Sequence, residues 1–401
     1  MLTHVRLGLV TAGHIPLKCV LCFAVCCVAG DIAVNDTSAA SAASQAAAGV
    51  PSSAPASRAV LDIEPFFSPP PEFRGRLGNY RSVLIFDDGR PVKTAADWQV
   101  RRQEILKYWH EVMGPWPEVI QHPAIQFLSK ERVEGFARCK VRIEVAPGNV
   151  QVAYLLIPDG TGPFPAVLVT WYNAASSAGL GGRPGNNAFG CDLARRGFVT
   201  LCVGDTGNFT NRKQEYDGAV QPISYLAYCA ANCANLLASL PQVDGDRIGI
   251  MGHSFGGKWA MFASCLYEKF ACAVWCDPGI VWNEADSNAN WWDAWYLGYE
   301  PGHKRKAGGL SPDNPRTGAY KRLVEEGRDL HELHALMAPR PFLVSGGAQD
   351  TIDHWVALNH TIAVNDLLGF KKRVAMTTRR GHEPTPESRE QMYHFLEQFL
   401  K

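Results

Sequence analysis

The run Gly252-His253-Ser254-Phe255-Gly256 constrains this 401-residue chain more than any other feature. It fits G-x-S-x-G, and its surroundings give the pattern meaning. Residues 246–251, Asp-Arg-Ile-Gly-Ile-Met, follow a turn and read as a short buried strand. Residues 257–264 read as a helix. Strand, tight turn and helix therefore follow one another, with the serine at the turn. Glycines on either side permit a bend too sharp for side chains. That bend lifts the Ser254 hydroxyl clear of its neighbours, where a base can take its proton and make it a nucleophile.

The C-terminal part supplies a carboxylate and a base in the chain order serine, acid, histidine. Residues 341–346 read as an apolar strand running into a glycine turn, and Asp350, on the loop just beyond, is the expected acid. Asp277, in Cys276-Asp277-Pro278 after the strand at 271–275, is the alternative acid. Asp353 takes that role if the loop register is shifted. A helix over 354–368 and a strand over 372–376 follow. His382 then stands before a closing helix from about residue 387, and is the expected base. His253 adjoins the serine but reads as structural. His331 and His334 lie three apart on an expected helix, on what reads as a solvated face, and nothing completes a metal site around them.

Acyl transfer through a serine also needs N–H donors where negative charge develops. The Phe255 N–H is one. The second is expected just after the strand at 165–170, where Tyr172 is the nominee. This chemistry requires no cofactor or metal.

With 46% apolar residues the chain can build a large core, and residues 61–401 read as one catalytic domain. Strands alternate with helices there, which predicts an α/β fold with a mainly parallel sheet and helices on both faces. Residues 61–139 form an N-terminal extension, with a helix over 95–113 that Asp97 helps to cap. Residues 140–145 and 151–157 alternate like a hairpin, residues 199–203 read as a strand, and residues 223–240 as the helix before the serine strand. Residues 275–299, after the nucleophile helix and its following strand, form an insertion rich in Trp and Tyr. Most of these rings are expected to pack on one another, while one or two line the site. Trp282 and Trp292 in the insertion, and Trp171 outside it after the strand at 165–170, are the substrate-contact candidates.

Lys plus Arg equals Asp plus Glu at 39 each, without a basic run, which argues against a nucleic-acid partner. His4, Arg6 and Lys18 precede or border an apolar segment at 19–29, so residues 1–29 read as a signal peptide for secretion or periplasmic export. An uncleaved anchor is the alternative. After signal removal no membrane span is expected. Residues 30–60, dominated by Ala, Ser and Pro, read as a linker. Four of the twelve cysteines fall in the signal, and spacing fixes no pairing among the rest.

The Asp-Arg-Ile-Gly-Ile strand, the Gly-His-Ser-Phe-Gly-Gly turn and the C-terminal Asp350 and His382 together resemble an α/β-hydrolase of the dienelactone-hydrolase and acetyl-xylan-esterase-like group, over roughly residues 140–401. Asp88-Gly89-Arg90-Pro91-Val92, followed by Trp98, Arg101-Arg102 and Glu104-Ile105, is similar to the entry segment of secreted bacterial carbohydrate esterases, glucuronoyl esterases among them. Those enzymes carry G-C-S-R-x-G-K at the serine. Here Gly252, Ser254, Gly257 and Lys258 match, while His253 and Phe255 replace the Cys and the oxyanion-stabilising Arg. The resemblance implies that Lys258 reaches substrate. It also implies an exported carboxylic-ester hydrolase acting on a small-molecule or carbohydrate ester, with a prolyl-peptidase-like hydrolase, an acyltransferase and a non-catalytic carbohydrate-binding homologue as the alternatives.

Overall fold

Strands buried on both faces read as continuous apolar runs, and this chain has several. The computed structural model describes residues 61–181, 187–205, 220–306 and 308–401, all within one compact unit, Ala59–Lys401. The signal and linker readings fall on residues 1–60, outside those described. Nine strands form one sheet: β1 Ile125–Val133, β2 Phe136–Ala146, β3 Asn149–Pro158, β4 Phe164–Trp171, β5 Val199–Gly204, β6 Val243–His253, β7 Cys272–Cys276, β8 Phe342–Ser345 and β9 Val374–Thr377. Their order is β1-β2-β3-β5-β4-β6-β7-β8-β9. β1, β2 and β3 pair antiparallel, as does β3 with β5. Every pairing from β5 to β9 is parallel.

Nine α-helices accompany the sheet among the described residues: α1 Ala95–Met113, α2 Ala174–Ser177, α3 Phe189–Arg195, α4 Pro222–Ser239, α5 Phe255–Leu266, α6 Gly318–Glu325, α7 Leu330–Ala335, α8 Trp355–Leu367 and α9 Pro386–Leu400. Side chains alternate across the strands, so two apolar clusters flank the sheet. Leu168, Ile250, Trp275 and Val344 join the cluster packed by α1, α4, α5, α7 and α8. Val169, Met251, Val274 and Leu343 join the one packed by α3 and α9. The fold is therefore the expected α/β-hydrolase-like arrangement with helices on both faces.

The sequence expectations for α1, α4 and α9 agree with the structure to within two residues. In α1, Thr94 Oγ1 accepts from Asp97 N while Asp97 Oδ2 accepts from Thr94 N, a capping box. Strand β1 was not anticipated: its run Ile-Gln-Phe-Leu-Ser-Lys-Glu-Arg-Val is mostly exposed and lacks a clean alternation. The aromatic insertion has no helix or strand of its own between β7 and α6 in the described residues. Trp291 and Trp292 nonetheless join the main core rather than a separate one.

Candidate active site

The parallel strands place their carboxyl ends along one edge, and β4 sits where strand order reverses between β5 and β6, the usual place for an α/β site. β6 ends at His253 and α5 starts at Phe255, so Ser254 alone turns the chain. Its φ of 54° and ψ of −118° lie where non-glycine residues are rarely found. The turn is locked from below: Ser254 N donates to Cys276 O at 2.8 Å. It also lies close against β4. A Cβ on Gly256 would lie 2.1 Å from Thr170 O, and one on Gly252 would lie 2.2 Å from Gly256 O. Only glycine fits at either position.

Phe255 follows Ser254 as the first residue of α5, so its N–H lies at the start of that helix beside the serine. Tyr172 follows β4, and its ring stacks on Phe255 at 4.7 Å between centroids. Burial raises the Tyr172 phenol and the Ser254 hydroxyl beside it pulls it back, a neighbour the sequence reading did not include. The strand-to-loop position had suggested only the backbone of Tyr172.

His382 Nδ1 lies 2.7 Å from Asp277 Oδ2. The expected acid, Asp350, is therefore not the carboxylate facing the histidine; the alternative, Asp277, is. Asp277 immediately follows β7 and is fully buried, with φ 50°. Its Oδ1 accepts from Gln349 N at 3.1 Å and Asp350 N at 2.9 Å. Burial alone would raise this carboxyl. The His382 hydrogen bond, the Asp350 N–H and the Arg379 charge outweigh it and hold the group below the usual carboxylate range. Asp350 is equally buried, but its oxygens accept from Gly279 N at 2.9 Å and Ile280 N at 2.6 Å, and His354 Nδ1 lies 3.3 Å away. It fastens the start of the aromatic insertion. Asp353 accepts instead from its neighbour Thr351.

Nδ1 of His382 is engaged by Asp277, which sets which of the two ring nitrogens carries the proton. The histidine loop is held by Arg379. One of its nitrogens donates to Ser345 O at 2.8 Å and Gly346 O at 2.9 Å, and another donates to His382 O. Nothing in the sequence marked Arg379. His253, read from the sequence as structural, is buried, stacks on Trp171 at 5.4 Å and packs 4.6 Å from the His382 ring.

The substrate-contact nominees fare differently. Trp171 is half-buried beside the site. Lys258 does not reach out: it is 2% exposed, its ammonium donates to Pro278 O and it lies 4.2 Å from the Trp291 ring centre. Being on α5 one turn after Ser254, it points into the protein beneath the insertion. Burial pulls its pKa down to about 7, against the opposing pull of Asp350 and Asp277. Trp292 is 1% exposed and belongs to the core. Trp282 donates its indole N–H to Arg328 O at 2.7 Å and packs on Tyr320 and Trp291, which makes it part of the insertion's packing. His331 and His334, expected on a solvated face, are fully buried, because α7 packs between α1, α5 and α8.

No group of three or more His, Cys, Asp or Glu suited to a metal ion occurs among the described residues. No helix among them is long and apolar enough to cross a membrane. All eight described cysteines are buried, and none forms a disulfide with another.

Residues 230–401 match the family model of the prolyl oligopeptidase family. No curated protein matches the chain by sequence. Among solved structures, the glucuronoyl esterase of Solibacter usitatus is similar at 19% identity with a TM-score of 0.63, over 79% of this chain and 97% of that one. A glucuronoyl esterase of Sporotrichum thermophile, solved with methyl 4-O-methyl-β-D-glucopyranuronate, is similar at 17% identity with a TM-score of 0.54, over 81% and 88%. A candidate acetyl xylan esterase of Bacteroides fragilis has a TM-score of 0.50 at 16% identity, over 78% and 79%. These likenesses support the fold.

Proposed function

We propose that this chain is an exported serine carboxylic-ester hydrolase that acts through Ser254, His382 and Asp277, on acyl or uronate esters of carbohydrates. One observation carries the reading: a buried Asp277 carboxylate lies 2.7 Å from the ring of His382, at the edge where Ser254 stands on a strained turn. His382 takes the Ser254 proton as the hydroxyl oxygen attacks the ester carbonyl. The oxyanion forms beside the Phe255 N–H and Tyr172. His382 then protonates the departing alkoxide, and water releases the acyl group by the same route. Asp277 fixes the imidazole tautomer and stabilises its charged form.

In this reading residues 1–29 are the signal, residues 30–60 the linker and residues 61–401 the catalytic domain. The carbohydrate ester rests on the likeness to carbohydrate esterases, whose substrate chemistry is carried over as a proposal. Peptide-bond hydrolysis is the second reading, favoured by the prolyl oligopeptidase match over residues 230–401. The test is hydrolysis of aryl acetates, acetylated sugars, methyl glucuronate esters and prolyl peptides by wild type and Ser254→Ala, alongside fluorophosphonate labelling. Serine-dependent ester turnover supports the first reading. Peptide turnover alone supports the second, and an unlabelled, inactive Ser254 overturns both.

A further inference from the structure

Four described non-glycine residues have positive φ: Asn187, Ser254, Asp277 and Lys372. Ser254 and Asp277 belong to the site above. Lys372, at φ 57°, lies at the opposite end of the sheet, where the chain enters β9. Backbone in this conformation persists only where the surroundings hold it. There it borders a pocket of about 450 Å³ between the N-terminal extension, the second half of α8 and the segment before β9.

Charge and apolar surface meet in this pocket. Arg74, Lys371, Lys372 and Arg373 line it, against Asp366. Lys371 pairs with Asp366, and Lys372 with Glu64 at 2.7 Å. Arg74 and Arg373 have no acidic partner among the described residues. The Arg373 guanidinium lies 5.3 Å from the Phe370 ring centre, and its Nε makes no hydrogen bond. Phe370 and Leu77, both on the pocket wall, are 38% and 39% exposed. Guanidiniums bind carboxylates through paired N–H donors, and the exposed apolar wall suits a flat ring body.

We propose that this pocket is a second binding site, remote from Ser254, for a carboxylate carried on a ring with an apolar face. A hydroxycinnamate and a uronic acid both have that chemistry. The proposal stands independently of the hydrolase reading.

The test is calorimetric titration of the full chain with ferulate and, separately, with glucuronate. Binding of either probe is expected, and Arg74→Ala or Arg373→Gln should weaken it roughly tenfold, the loss of one charge-assisted contact. Arg74 lies on an exposed turn, so its removal leaves the fold and aryl acetate turnover unchanged. Binding of ferulate alone identifies an aromatic acid, and of glucuronate alone an acidic sugar. The proposal is overturned if neither probe saturates below about 10 mM, or if the bound probe is indifferent to both substitutions.

Discussion

Asp350 donates its backbone N–H to the Asp277 carboxylate at 2.9 Å, while its own carboxylate accepts from Gly279 and Ile280, two and three residues past Asp277. The loops after β7 and β8 thus hold each other through opposite groups. One carboxylate faces His382, and the other holds backbone N–H groups and faces His354. Two buried aspartates one strand apart therefore have different work, and their substitutions should separate.

Asp277→Asn should lower turnover of an aryl acetate by about ten-thousandfold, because the imidazole loses both its tautomer control and its counter-charge. Asp350→Asn should lower it by less than about tenfold while reducing the melting temperature, since it removes acceptors for buried N–H groups. Initial rates and thermal melts of the two variants check this. Equal loss of activity in both would refute the assignment.

Ser254→Ala should lose roughly ten-thousandfold in turnover while melting with wild type, because the backbone bond from residue 254 to Cys276 O survives. Tyr172→Phe separates the phenol from the backbone donor. If the phenol beside Ser254 also stabilises the oxyanion, kcat falls about a hundredfold with KM little changed. Steady-state kinetics on one aryl ester reads both.

The Asp277 carboxyl is held below its unfolded value, so the folded chain binds fewer protons there than the unfolded chain. Its contribution to stability is complete above about pH 4, the unfolded carboxylate range, and disappears as pH falls through the lower folded value. Denaturant unfolding of wild type and Asp277→Asn should therefore converge in acid and diverge toward neutrality.

Lys258 has the opposite charge sense. Its pKa falls from 10.5 unfolded to about 7 folded, so the unfolded chain binds more protons between those values. The stability of wild type relative to Lys258→Met should rise as pH climbs from about 7 to 10.5. A difference that stays flat across this window would mean that the ammonium is solvated and free to meet substrate.

The serine turn and the loop that carries His382 were legible because they rest on backbone demands. Glycines at 252 and 256 are imposed by Thr170 and by the turn itself, and His382 follows a recognisable strand before a closing helix. The acid was harder. Asp277 and Asp350 both follow apolar strands, and only the tertiary path of the 379–382 loop, clamped by Arg379, decides which one meets the imidazole. Lys258 and Trp292 misled for one reason: sequence gives a residue's place on its element, whereas the insertion folded over α5 decides what reaches solvent. The burial of His331 and His334 has the same origin, since the N-terminal extension brings α1 against α7 and covers a face that α7 alone would expose.

The eight described cysteines are all buried and none is linked to another. Residues 61–401 are thus closed by packing and hydrogen bonds, with no covalent crosslink among those described. Packing rather than covalent bridging holds the described residues, so thermal melts with and without a thiol reductant should coincide.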